Sequence, residues 1–103
     1  MLISRAILGD IGTGISTLRT PGFVYFIRAE MTGLIKIGWA TNPAVRLHNM
    51  QLQCPDILIL EAKFPGSGLD ERKLHARYAG ARKHGEWFAP VPELLEEIEA
   101  LKK

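Results

Sequence analysis

Val24-Tyr25 is followed by ten residues and then Lys36-Ile37-Gly38, with Arg46, Glu71 and a closing Gly85-Glu86-Trp87-Phe88 further on. A tyrosine on one strand, an arginine on the next helix and a lone carboxylate on a later helix are the parts needed to cut a phosphodiester around one divalent metal. No other stretch of the chain offers comparable chemistry.

The elements that must carry these side chains follow from local pattern. Residues 23–29 alternate and are rich in aromatic and β-branched types, which predicts a strand. Residues 30–33 read as a turn and 34–38 as a second strand, paired as a hairpin. Asn42-Pro43 is an N-cap followed by proline at the first helical position. That helix runs to about Gln51, with Val45, Leu47 and Met50 available for packing and Arg46 in its second turn. Residues 57–64 form a third strand, apolar on both faces and therefore expected at the centre of the sheet. Ser67-Gly68-Leu69-Asp70 resembles a capping box. The helix after it places Glu71, Leu74, His75 and Tyr78 on one face, at i, i+3, i+4 and i+7. Gly80 and Gly85 flank a linker, residues 86–88 are extended, and Pro92 opens a last helix over 92–102. Its glutamates lie early and Lys102-Lys103 lie last, in keeping with the helix dipole. The expected fold is α/β (α+β): a three-stranded antiparallel sheet flanked by helices.

Composition fits a single small domain. The chain has 103 residues, 47% of them hydrophobic and 23% charged, which argues against wholesale disorder. It has no apolar run near the roughly 20 residues a membrane helix needs, and no secretion signal is read. One cysteine, Cys54, excludes an internal disulfide and suits a cytoplasmic setting. The net charge of +2 is uneven: residues 1–88 hold eleven Lys/Arg against seven Asp/Glu, and residues 89–103 hold two against four. Between Glu71 and Glu86 lie Arg72, Lys73, Arg77, Arg82 and Lys83 with His75 and His84, and no acid. Such a stripe suits a phosphate backbone, although a solvated helix face explains it equally well. Residues 1–21 stand apart as an extension or interaction arm. The glycines at 9, 12 and 14 lack the Gly-Lys-Ser/Thr ending of a phosphate loop.

The order Val24-Tyr25, Lys36-Ile37-Gly38, Arg46 and Glu71 resembles the GIY-YIG nuclease superfamily, and most closely its T5orf172-like branch, with the Lys-Ile-Gly second motif and the Glu-Trp-Phe ending. About two-thirds of the chain is covered. The resemblance implies that Tyr25 accepts or relays the proton of the attacking water. Lys36, where many relatives have a second tyrosine, would lower the tyrosine pKa or contact phosphate. Arg46 would hold a non-bridging oxygen. Glu71 would bind Mg²⁺ or Mn²⁺ as the only protein ligand. Departures from the pattern are Phe23 at the first glycine of the name motif, Lys36 itself, Met50 where relatives carry a histidine or tyrosine, with His48 the candidate substitute, and Glu86-Trp87-Phe88 where relatives commonly have an asparagine.

Duller readings compete with these. Tyr25 can be an ordinary strand tyrosine, Arg46 and Glu71 a surface pair of small energetic value. Glu71 and His75 at i, i+4 also suit zinc, but neither a His-Glu-x-x-His motif nor a cysteine pair accompanies them. Trp87 and Phe88 are expected as core anchors. The expected function is a metal-dependent DNA endonuclease. The alternative is an inactive nuclease-like module that binds nucleic acid or a protein. Arg72, Lys73, His75, Arg77, Arg82 and Lys83 would contact DNA, no membrane partner is expected, and residues 1–21 would serve a homodimer or a partner protein.

Overall fold

Strand β1 (Gly22–Ala29) is the axis of the structure, because both of its faces are apolar. Val24 and Phe26 point to one side, Tyr25 and Ile27 to the other, and all four are fully buried. A computed structural model describes residues 19–103; the glycines at 9, 12 and 14, and nearly all of the expected arm, lie outside the described residues. Strand β2 (Ile35–Ala40) returns antiparallel to β1 through a turn in which Gly33 takes φ +78°, a conformation that favours glycine.

Each face of the sheet has its own core. Val24, Phe26, Ile35 and Ile37 pack under helices α2 (Gly68–Arg77) and α3 (Pro92–Leu101), meeting Leu74, Tyr78, Leu94 and Ile98. Tyr25, Ile27, Ala29 and Ala40 pack under helix α1 (Pro43–Leu52), with Leu47, Met50 and Cys54 partly buried against them. The α1 N-cap is Asn42, whose side chain accepts from Val45 N at 3.3 Å, and Pro43 follows. Among the described residues no helix is long and apolar enough to cross a membrane.

Two expectations about the sheet are corrected. Among the described residues it has five antiparallel strands, in the order β3-β1-β2-β5-β4. The added strands, β4 (Arg82–His84) and β5 (Trp87–Phe88), are three and two residues long, too short for an alternating pattern to reveal. Strand β3 (Leu58–Gly66) lies at an edge rather than at the centre. Its apolar run misleads because Ile57 is 57% exposed and a bulge turns the strand over midway. Phe26 pairs with Ala62 and Ile27 with Leu60, leaving Glu61 as the extra residue. Leu58 and Leu60 then face one core, and Ala62 and Phe64 the other. Glu61 accepts from Arg28 Nε and Lys102 Nζ, both at 2.6 Å, so the bulge also fastens the end of α3.

Helix α2, which carries the acidic candidate, starts at the expected capping box: Leu69 N donates to Ser67 Oγ at 3.2 Å and Ser67 N to Asp70 Oδ2 at 2.8 Å. Ser67→Ala should cost about 1 kcal/mol of stability, read as a lower urea midpoint. An unchanged midpoint would show that the box contributes nothing.

Candidate active site

The site forms where the β2–β5 ladder stops. Strand β5 pairs with β2 only at Ile35–Phe88 and Lys36–Trp87. One residue on, Ile37 N donates to Glu86 O at 3.0 Å. The Ile37 carbonyl is taken instead by a side chain of α2, His75 Nε2, at 2.8 Å. A carbonyl only accepts, so Nε2 carries the proton. Phe88 backs the imidazole at 5.1 Å between ring centroids. One helical turn before His75, Glu71 lies with Oε2 3.8 Å from Nε2. The ligand atoms of Glu71, His75 and Glu86 all fall within 4.8 Å of one another.

The opposite face of the sheet contributes the tyrosine. Tyr25 stands across from Gly38 in the β1–β2 register. A Cβ on Gly38 would fall on the Tyr25 hydroxyl and ring, so the glycine of Lys-Ile-Gly is the space the phenol occupies. Arg46 Nη1, from α1, donates to the Tyr25 hydroxyl at 3.4 Å, a long contact. Lys36 shares the Gly38 side of β2; its Nζ donates to Glu86 Oε1 at 2.8 Å and stands 6.0 Å from the centre of the Trp87 ring.

Burial governs the charge states. It pushes Glu71 up to about 8, reinforced by the charge of Glu86 and a hydrogen bond with it, and opposed by Lys36 and Arg46. Burial also raises Tyr25 above its ordinary value, outweighing Lys36, Arg46 and the Arg46 hydrogen bond. Tyr25 is therefore a neutral phenol near pH 7. Lys36 and Arg46 each act on both Tyr25 and Glu71, which makes these four one electrostatic unit.

Other candidates lie elsewhere. His48 is exposed on α1, about 200° around the helix from Arg46, and takes no part in these contacts. Met50 packs in the core beneath α1. Arg77 is engaged by Glu97 at 3.0 and 3.1 Å, Arg82 Nε donates to Gly85 O at 2.7 Å, and the Nε2–H of His75 is engaged at Ile37. Arg72, Lys73 and Lys83 are exposed. Trp87 and Phe88 are core residues as expected. Glu86 carries one mark in the sequence: with Glu71 it bounds the acid-free stretch densest in basic residues.

Two outcomes follow from this geometry. Between pH 4.5 and about 8 the unfolded chain has released the Glu71 proton while the folded chain keeps it, so stability falls as pH rises through that window. In chelator, melting temperature should drop across the window in the native protein and stay flatter in Glu71→Gln, whose amide still donates to Glu86. Parallel curves would exclude the raised carboxyl. Gly38→Ala should displace the Tyr25 ring and cost about 1–3 kcal/mol by chemical denaturation; unchanged stability would refute the close approach.

No curated protein and no solved structure matches the chain. Residues 22–102 match the T5orf172 domain, which is nuclease-like, and the chain belongs to that family.

Proposed function

We propose that this domain is a metal-dependent endonuclease of the GIY-YIG type, acting on DNA phosphodiesters. The observation that carries the reading is convergence: Tyr25 from β1, Lys36 from β2, Arg46 from α1 and Glu71 from α2 meet at the end of one short ladder.

The donor set suits a hard cation. Glu71 offers carboxylate oxygen, the preference of Mg²⁺ and Mn²⁺, and among the described residues no cysteine or second histidine joins it and His75 in the nitrogen- and sulfur-rich set that zinc favours. A divalent ion there supplies Lewis acidity toward the phosphate and its leaving oxygen. Arg46 holds a non-bridging phosphate oxygen and stabilises charge that grows in the transition state. Tyr25, a phenol rather than a phenolate, orients the attacking water by hydrogen bonding and relays its proton. Lys36 adds positive charge beside both. Arg72, Lys73 and Lys83 contact the backbone without reading bases, so binding is weakly specific and strongly salt-dependent.

One observation favours a second reading, a module that binds DNA without cutting it. The Tyr25 side chain is 0% exposed, although a group that handles the attacking water must meet it.

Supercoiled-plasmid nicking with Mg²⁺ or Mn²⁺ separates the two. The native protein should nick, while Glu71→Ala, Tyr25→Phe and Arg46→Ala each lose about 100-fold or more and EDTA abolishes the reaction. If none of these proteins cuts and all retard DNA in a gel, the binding reading replaces the enzymatic one. Cutting that survives Glu71→Ala would remove the carboxylate from the mechanism.

A further inference from the structure

We propose that Glu86 is a second carboxylate ligand, so that Glu71 and Glu86 hold the divalent ion between them and Lys36 occupies Glu86 until the ion arrives. The inference deepens the nuclease reading and rests on its metal.

Glu86 is positioned as firmly as Glu71. Its carbonyl is fixed by Ile37 N at 3.0 Å, and the preceding Gly85, at φ +55°, is held through its own carbonyl by Arg82 Nε at 2.7 Å. Glu71 is fixed from the other side through α2, which His75 fastens to the same Ile37. Two carboxylates are thus brought within 4.8 Å by separate elements. The Glu71 side chain is 16% exposed and that of Glu86 39%, so the pair is only partly hydrated.

A cation already stands at this place. The Lys36 ammonium lies 2.8 Å from Glu86 Oε1 and nowhere within salt-bridge distance of Glu71. One or two carboxylates completed by waters and phosphate oxygens is the shell Mg²⁺ prefers. The face of Trp87, 6.0 Å from Nζ, offers the displaced ammonium a second resting place.

The test is Mn²⁺ binding without DNA, by calorimetry and by water-proton relaxation, on the native protein, Glu71→Gln, Glu86→Gln and Lys36→Met. Melting temperatures in EDTA verify that each variant is folded. Glu86→Gln and Glu71→Gln should each weaken Mn²⁺ binding about tenfold or more, while Lys36→Met, which removes the resident cation, should tighten it. Opposite signs at Glu86 and Lys36 are not what general destabilisation would produce. If Glu86→Gln binds like the native protein and Glu71→Gln does not, Glu86 is no ligand, yet the nuclease reading keeps its single carboxylate. If the native protein binds no Mn²⁺ at millimolar concentration, both the second ligand and the metal of the nuclease reading fall.

Discussion

The grip on the backbone of Ile37 is the constraint on which the rest depends. Its N–H is bound by the carbonyl of Glu86 and its C=O by the imidazole of His75. One peptide segment therefore sets the spacing between two acidic residues that are distant in sequence. The arrangement exists only because β5 is short. Another ladder pair would bring a strand to the Ile37 carbonyl, and α2 would have no place to fasten. Loss of the imidazole would leave that carbonyl unpaired, at a cost of about 1–3 kcal/mol, and release the helix that presents Glu71.

The tyrosine is placed by a different principle. It lies on β1, a strand paired on both sides and buried on its own face, where close packing permits few alternative rotamers. The vacancy at Gly38 lets the ring lie flat over β2 and bring its hydroxyl to the end of Arg46. Rigidity and accessibility oppose each other here. The same burial that fixes the ring raises its pKa and keeps the phenol protonated near neutral pH.

Much of this was legible in the residues. The first three strands, the Asn42 and Ser67 caps, and the shared face of Glu71, Leu74, His75 and Tyr78 follow from short-range rules, and the structure obeys them. The failures have physical causes. Strands β4 and β5 carry too few residues for a period to be counted. The run from Ile57 to Leu60 suggested a central strand because a bulge cannot be seen before pairing is known. His48 was attractive by its distance along the chain, but helical rotation turns it away from Arg46. Glu86 was invisible as a partner of Glu71 because nothing local links a turn after a glycine to a helix one segment earlier. Only the end of the β2–β5 ladder joins them.

The two edges of the sheet bear on solution behaviour. One edge, β3, is broken by its bulge and carries Pro65; the other, β4, exposes Arg82, Lys83 and His84. Both are poor templates for another strand. At β4 the protection is partly charge, and the same charge attracts polyanions. Added salt screens both effects together. Conditions that screen this charge therefore lower the edge's resistance to self-pairing together with its attraction for polyanions, so the two are set by one group of side chains and cannot be adjusted independently.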